Sequence, residues 1–186
     1  LVLASGVADG IPYVVQEYIV GSYPDWRWFV KHLPLLAGFL RRYHTDESLA
    51  ALLSVNTITG YAEHIAFDLA ALEKHFRSLH AAELHTIEIE LAFERLKECS
   101  KHLQSAALVP IHPDPNTKNM LLSGDEDTLV MLDWDDVRLS DPMRDAGLLL
   151  WWYVAPRQWH EFFQAYGVAM DEAVIARIFW WAARTS

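Results

Sequence analysis

The sequence is poor in cysteine, and it contains no long apolar run. Its 186 residues include a single cysteine, Cys99, so the chain cannot form an internal disulfide and a reducing compartment is expected. No run of apolar residues approaches the ~20 that a transmembrane helix needs, and the first residues lack the basic segment of a signal peptide. We therefore expect a cytoplasmic protein with no membrane partner.

Basic residues are also scarce relative to acidic ones. There are 15 Lys and Arg against 25 Asp and Glu, which gives a formal net charge of -10 at pH 7. Because nucleic-acid binding depends on basic patches, this balance argues against a nucleic-acid partner and favours cationic or metal-bound ligands. Hydrophobic residues make up 52% of the chain, which is enough for the core of one domain or one large lobe.

The apolar pattern predicts a mainly helical α+β fold. Residues 12–20 are β-branched and aromatic between two glycines, which predicts a strand. Short apolar runs on either side of a Ser-Gly-Asp-Glu-Asp turn predict a small hairpin over 120–122 and 128–132. Helices are predicted over 24–43 (with Pro34 as a kink or a break), 49–53, 62–80, 83–104, 142–155, 157–166 and 171–184.

Some single positions carry their own expectations. In the helix over 62–80 the apolar residues fall on one face: Ile65, Leu69, Leu72, Phe76 and Leu79. The helix over 83–104 has a broader stripe, made of Leu84, Ile87, Ile89, Leu91, Phe93 and Leu96. Cys99 is interpreted as a packing residue of that helix, and Gly167 as the C-cap of the helix over 157–166.

The segment 112–145 concentrates the negative charge. It holds nine acids against three bases, more than half of the net charge of the chain. Like charges placed close together are unfavourable unless a cation holds them, and carboxylates on loops suit Mg²⁺.

The spacing within this segment points to phosphoryl transfer. Asp114 and Asn119 lie five residues apart on one loop, and Asp133 follows the second hairpin strand. A hairpin brings these positions together. Phosphoryl transfer uses such a set, with one Asp facing the acceptor hydroxyl and an Asn and an Asp holding Mg²⁺ on the nucleotide phosphates.

These residues resemble the aminoglycoside phosphotransferase and choline kinase group of the protein-kinase-like fold. The matching motifs are, in order, His112-x-Asp114-x4-Asn119, Asp133-Trp134-Asp135 and Asp141-Pro142-x2-Asp145. Upstream, 12–21 resembles the last N-lobe strand with the adenine hinge, and 39–44 resembles a helix end of that family. Three departures lie in the first motif, where the family commonly has Gly, His and Gly: Pro113, Asn116 and Lys118.

The resemblance implies a role for each matching residue. Asp114 is implied as the catalytic base, Asn119 and Asp133 as Mg²⁺ ligands, and Asp145 as an acid that braces the catalytic loop. The implied adenine hinge is the backbone of Glu17, Tyr18 and Ile19. His112 is interpreted as a loop anchor rather than a base, because an Asp accepts the proton in this chemistry. Asp135 is either an acid behind the metal ligands or a solvated turn residue.

The same resemblance implies a division of the chain. Residues 1–21 are expected to be the last N-lobe strand or strands and the hinge. Residues 22–186 are expected to form the helical C-terminal lobe, with a catalytic loop at 112–119 and a metal-binding segment at 133–136. No Gly-rich loop precedes residue 12 and no lysine precedes Lys31, so the part that clamps the nucleotide is expected to lie outside this chain. The strand edge at 12–20 then becomes a candidate for self-association.

The implied reaction is Mg²⁺-assisted phosphoryl transfer from ATP or GTP to a hydroxyl of a small molecule. A cationic acceptor such as an aminoglycoside fits the acidic segment, but choline, homoserine, methylthioribose and ketosamine kinases resemble the sequence equally at this level. Two other classes stay open. One is a pseudo-kinase binding module without turnover, and the other is a helical interaction protein with no nucleotide site.

Overall fold

The computed structural model describes residues 2–54, 60–81, 86–124 and 128–185, with backbone alone for 79–81. Within these ranges the strands are β1 Val2–Ala8, β2 Ile11–Gln16, β3 Gly21–Ser22, β4 Val109–Ile111, β5 Met120–Ser123, β6 Thr128–Met131 and β7 Arg138–Ser140. The helices are α1 Trp26–Lys31, α2 Leu33–His44, α3 Glu47–Leu53, α4 Tyr61–Ala81, α5 Ile87–Ser100, α6 Ala146–Tyr153, α7 Trp159–Tyr166 and α8 Glu172–Thr185. The fold is therefore α+β and mostly helical, as predicted.

The first two strands form an antiparallel hairpin whose residues are all exposed. Asp9 and Gly10 make its turn with φ of 53° and 80°, the positive values that a two-residue hairpin loop requires. The prediction of one strand over 12–20 is wrong in its end point. Strand β2 ends at Gln16, which pairs with Val2, and residues 17–20 leave the sheet.

A three-stranded sheet joins β3 to the β5–β6 hairpin, which was predicted from the sequence. Gly21 lies opposite Ser123 in this sheet. A Cβ at Gly21 would lie 2.5 Å from the carbonyl oxygen of Leu122, so the approach of β3 to β5 depends on a glycine there. A further antiparallel pair, β4 with β7, was not predicted.

Most predicted helices are present with shifted ends. The predicted helix 24–43 is two helices that break at His32, and Pro34 sits in the first turn of α2, where a missing N–H is tolerated. Helix α5 begins at Ile87, after the cap residue Thr86, and the remainder of the predicted 83–104 lies outside the helix or outside the described residues. Gly167 ends α7 with φ of 84°, which confirms the predicted C-cap.

The core lies where α2 packs on α7 and α6 packs on α8. Gly147 permits the second contact, since a Cβ there would lie 3.3 Å from the Cα of Ile178. The predicted apolar face of α4 is turned inward in its described part: Ile65 is buried, and Leu69, Leu72 and Phe76 are partly buried. Leu79, whose side chain is masked, and Leu84 lie outside the described side chains.

Helix α5 buries a narrower face against the rest of the protein than its apolar stripe predicts. Phe93 and Leu96 are buried, and the carbonyl of Leu96 accepts a hydrogen bond from the Trp180 indole at 3.1 Å. Ile87 and Leu91 are exposed. Cys99 is exposed as well, so its interpretation as a packing residue is wrong. Of the helices that the structure describes, none has the length and apolar character to cross a membrane.

Candidate active site

The loop between β4 and β5 carries the first predicted motif. It ends in a short 3₁₀ turn, Thr117–Asn119, whose cap is Asn116. The Asn116 side-chain oxygen accepts a hydrogen bond from the backbone N–H of Lys118 at 2.8 Å. Its amide nitrogen donates to Oδ1 of Asp114 at 2.7 Å. The side chain of Asp114 is exposed, so the loop presents this carboxylate to solvent.

Asn119 lies against the same carboxylate from the other side. Its amide nitrogen donates to Oδ2 of Asp114 at 3.1 Å and to the backbone carbonyl of Asp114 at 2.9 Å. Both oxygens of Asp114 therefore accept from amides of its own loop. The structure brings these two predicted site residues into direct contact.

The third predicted residue is placed by the backbone of its neighbour. The N–H of Leu132 donates to the carbonyl of Asn119 at 2.8 Å. The carbonyl of Leu132 accepts from Nε2 of His112 at 2.8 Å. Asp133 follows directly, exposed and with φ of 60°, a left-handed conformation that is uncommon outside glycine and is found at functional sites.

His112 is a buried link between the loops. Its Nε2 must carry a hydrogen, because a carbonyl only accepts, and its Nδ1 is buried with no hydrogen-bond partner in the described part of the chain. The ring of Trp134 packs edge-on against it at 5.3 Å between centroids. A ring in this position holds Leu132 and does not reach solvent.

Asp145 is fully buried at the N-terminus of α6, and four donors surround its carboxylate. Its Oδ2 accepts from the Tyr43 hydroxyl at 2.7 Å, from Nε2 of His44 at 3.0 Å and from the backbone N–H of His112 at 3.1 Å. Its Oδ1 accepts from the N–H of Ala146 at 2.7 Å. Burial, together with the charge of Asp145, raises the pKa of Tyr43 well above its ordinary value. This carboxylate ties the start of the loop 112–119 to α2 and α6.

Sequence reasoning gave no separate role to Asp141, the first acid of its motif. This residue is fully buried and accepts from the Tyr61 hydroxyl at 2.6 Å, from the N–H of Met143 at 2.8 Å and from Arg177 at 3.4 Å. Burial and the charge of Asp141 raise the pKa of Tyr61. The Asp-Pro pair was the one sequence feature that marked Asp141, because its side-chain partners Tyr61 and Arg177 lie 80 and 36 residues away in the chain.

A second buried ion cluster lies next to it and was not predicted. Asp68 on α4 accepts from Arg144 at 3.0 Å and also pairs with Arg184. The guanidinium of Arg144 stacks over the Trp181 ring at 4.8 Å. Together with Asp141, this cluster holds α4, α8 and the turn before α6 together, so it supports the site from behind.

The predicted hinge residues line a cleft. The segment that contains Glu17, Tyr18 and Ile19 runs between β2 and β3, opposite the β5–β6 hairpin. The cleft has a volume of about 710 Å³, and its walls include Gly21, Leu122, Ser123 and Val130. Apolar residues such as Leu122 and Val130 share the lining with the segment 17–22, and a cleft of this size with a mixed lining suits a planar heterocyclic ligand.

Asp135 stands apart from the other acids. It is exposed in the turn after Trp134, where the N–H of Val137 donates to the carbonyl of Trp134 at 3.1 Å. No hydrogen bond in the described residues joins Asp135 to Asp114, Asn119 or Asp133. Among the His, Cys, Asp and Glu side chains that the structure describes, no three are grouped closely enough to hold a metal ion by themselves.

Comparison with solved structures places this architecture among phosphotransferases. The chain aligns with macrolide 2'-phosphotransferase type I over 98% of its length and 64% of that chain, with a TM-score of 0.68 and 16% identity. An aminoglycoside phosphotransferase solved with GDP and kanamycin gives a TM-score of 0.64 at 19% identity, over 98% of this chain and 64% of that one. The choline kinase of Streptococcus pneumoniae gives 0.62 at 17% identity, over 98% and 66%.

These likenesses show the fold, which is that of the protein-kinase-like phosphotransferases. The chain spans less than two thirds of the length of each of these three structures. The model of the phosphotransferase enzyme family, APH, matches residues 31–177, a range that includes all three sequence motifs. The chain therefore belongs to the APH phosphotransferase family.

Proposed function

We propose that this chain carries the catalytic loop and the metal-binding segment of a small-molecule kinase. The reaction is Mg²⁺-assisted transfer of the γ-phosphoryl group of ATP or GTP to a hydroxyl. One observation carries the proposal: Asn119 bonds Asp114 through its side chain and Leu132 through its backbone, so hydrogen bonds join the two loops that carry Asp114 and Asp133. We place the reaction in the cytoplasm, where nucleoside triphosphates and Mg²⁺ are available.

Asp114 is the proposed base. Its carboxylate is exposed, and each oxygen is held by one amide, which leaves a lone pair on each oxygen for a ligand. A hydroxyl placed against this carboxylate is oriented for attack and gives its proton to Asp114 as the new O–P bond forms. The bond from the γ-phosphorus to the β–γ bridging oxygen breaks, and ADP or GDP leaves.

Asn119 and Asp133 are the proposed Mg²⁺ ligands. The amide nitrogen of Asn119 makes both contacts with Asp114, so its amide oxygen points away from that carboxylate. Asp133 adds an exposed carboxylate directly after Leu132, whose N–H donates to the backbone carbonyl of Asn119. One carboxylate and one amide oxygen fit Mg²⁺, which completes its octahedron with water and phosphate oxygens. When bound, the ion neutralises charge on the transferring phosphoryl group.

The nucleobase is proposed to lie in the cleft beside Glu17, Tyr18 and Ile19. This segment leaves the β-sheet after Gln16 and lines the cleft together with Leu122 and Val130. Neighbouring structures were solved with GDP and with ADP, which supports a purine nucleotide. Residues 1–21 thus supply the last N-lobe strands and the hinge, and residues 22–186 the helical lobe.

His112 and Asp145 are proposed to support the loop rather than to react. His112 spans from the catalytic loop to Leu132, and Asp145 holds the backbone N–H of His112. Asp135 is proposed to be a solvated turn residue, since it is exposed and no hydrogen bond in the described residues joins it to Asp114, Asn119 or Asp133.

The acceptor is proposed to be a small molecule with a free hydroxyl. The names of the neighbours include a macrolide phosphotransferase, a kanamycin complex, a spectinomycin complex and a choline kinase. A cationic acceptor also fits the net charge of -10. Homoserine, methylthioribose and ketosamine stay within the same proposal.

The deciding experiment measures phosphoryl transfer by the intact protein. Radiolabelled Mg·ATP and Mg·GTP are incubated with kanamycin, spectinomycin, a macrolide or choline, and with water alone. We expect turnover that Asp114→Asn reduces at least a hundredfold while Mg·nucleotide binding changes less than threefold. Binding without turnover under every condition would make the protein a pseudo-kinase binding module. Near-normal turnover in Asp114→Asn would remove this residue from the mechanism.

The β1–β2 hairpin is a proposed contact between copies of the chain. Its residues are exposed, and several are large and apolar, including Val2, Leu3, Ile11 and Val14. Unpaired strand edges of this kind pair with other strands. Sedimentation velocity across a hundredfold range of concentration tests this, and Val14→Lys should weaken any dimer that forms.

A further inference from the structure

We propose that Asn116, which lies outside the three site residues, is a positioning residue that fixes the plane of the Asp114 carboxylate. This inference rests on the proposed function, because it assigns Asp114 the acceptor hydroxyl. The contact that carries it is the 2.7 Å hydrogen bond from Nδ2 of Asn116 to Oδ1 of Asp114. It is shorter than the 3.1 Å bond from Asn119 to the other oxygen.

Two amides are needed to fix one carboxylate. The terminal torsion of an aspartate is broad, so a carboxylate held at a single oxygen can still turn about its last bond. Asn119 holds Oδ2 and Asn116 holds Oδ1, and each amide comes from a different side of the loop. With both in place, the remaining lone pairs of Asp114 point in defined directions toward solvent.

The orientation of the Asn116 amide is itself determined by its neighbours. Its side-chain oxygen accepts from the backbone N–H of Lys118, which can only donate. The nitrogen must therefore face Asp114, whose ionised carboxylate can only accept. The backbone carbonyl of Asn116 also accepts from the N–H of Asn119 at 3.1 Å, so the whole residue is held in the turn.

Asn116 thus has two separable contacts, a cap on the 3₁₀ turn and a donor to Asp114. Asn116→Ser keeps a hydroxyl that can cap Lys118 but is too short to hold the carboxylate. Asn116→Ala loses both contacts. Asn116→Asp keeps the cap and replaces the donor by a second carboxylate facing Asp114. These three variants distinguish a positioning role from a cap alone.

The experiment measures kcat and KM for Mg·ATP hydrolysis, with water as the acceptor, together with the Kd of Mg·ATP and the melting temperature of the intact protein. We expect Asn116→Ser to lower kcat about tenfold to a hundredfold, the range for losing a hydrogen bond to a charged group or for a small misplacement of a reacting group. KM, Kd and the melting temperature should stay near those of the wild type. Asn116→Asp should be at least as slow as Asn116→Ser.

A different order of kcat among the three Asn116 variants would overturn the inference. If Asn116 only caps the turn, Asn116→Ser and Asn116→Asp retain the wild-type kcat and Asn116→Ala alone is impaired, with a lower melting temperature. Asp114→Asn is measured in parallel, so that a failure of the role proposed for Asp114 can be told from a failure of the role proposed for Asn116. Full activity in Asp114→Asn refutes the role of Asp114 as the base, on which the inference rests, whereas an inactive Asp114→Asn beside a fully active Asn116→Ser refutes the positioning role of Asn116 alone.

Discussion

Replacing Asp145 by asparagine tests whether one buried carboxylate organises the catalytic loop. The substitution preserves shape and removes the charge. In the wild type, Oδ2 accepts from Tyr43, His44 and the backbone of His112, while Oδ1 accepts from Ala146. An asparagine has one acceptor oxygen. Whichever way it turns, its N–H₂ group faces at least one of these donors, and the remaining bonds lose their charge.

The size of the effect follows from the burial of this group. A hydrogen bond to a charged group contributes about 1.5–3 kcal/mol, and removing one partner of a buried charged network destabilises by about 3–5 kcal/mol. Asp145 is fully buried, so solvent screening does not reduce these figures. We expect a loss of about 3–5 kcal/mol in the free energy of unfolding. For a chain of this length that lowers the melting temperature by about 6–20 °C.

Urea denaturation followed by tryptophan fluorescence measures this loss, since the chain contains 8 tryptophans. Asp136→Asn is the matched control, because Asp136 is an exposed acid in the neighbouring turn and should change stability by less than about 0.5 kcal/mol. A loss below about 1 kcal/mol for Asp145→Asn, with an unchanged m-value, would refute the idea that this carboxylate organises the loop.

Three further variants test other parts of the structure. Asp133→Ala should raise the Mg²⁺ concentration needed for half-maximal activity at least tenfold at fixed ATP. An unchanged half-maximal concentration would show that Asp133 is not a ligand. Gly21→Val should separate β3 from β5 and reduce both nucleotide affinity and stability by about 1–3 kcal/mol. Gly38→Ala is the control: a Cβ there meets nothing within 4 Å and the residue lies inside α2, so it should leave nucleotide binding unchanged and stabilise the fold by about 0.5–1 kcal/mol in the same assays. Burial lowers the pKa of His64 below its ordinary 6.5, so the folded protein binds this proton more weakly than the unfolded chain, and stability falls as the pH drops through 6.5. His64→Gln should reduce this loss of stability between pH 7 and 5. Urea titrations that give the same change of unfolding free energy with pH for both proteins would contradict this.

Local patterns in the sequence predict much of the helical lobe. The inward face of α4 follows from the spacing of Ile65, Leu69 and Leu72, and the end of α7 follows from Gly167. The β5–β6 hairpin follows from a turn between two short apolar runs. Each depends on residues close together in the chain, where propensity and periodicity act directly.

Features that depend on distant partners escaped prediction. The β4–β7 pair joins Val109 to Ser140 through three residues on each side, which is too short to leave a periodic signal. Residues 17–20 keep the β-branched and aromatic composition of β2, so composition alone does not show that the strand ends at Gln16. The exposure of Cys99 is set by how much of α5 reaches α8. The ion pairs of Asp68 bridge 76 and 116 residues, so no local pattern indicates them.

A continuous series of hydrogen bonds links the three sequence motifs. Asp145, from the last motif, holds the backbone of His112 in the first, and His112 holds the carbonyl of Leu132 just before the second. The carbonyl of Asn119 holds the N–H of Leu132 from the other side. Leu132 is thus held at both of its backbone polar groups, and Asp133 takes the left-handed conformation that costs about 1–3 kcal/mol. The buried end of this hydrogen-bonded series stabilises a strained residue at its exposed end. The conformation of Asp133, the proposed Mg²⁺ ligand, therefore depends on Asp145, a buried acid from another motif.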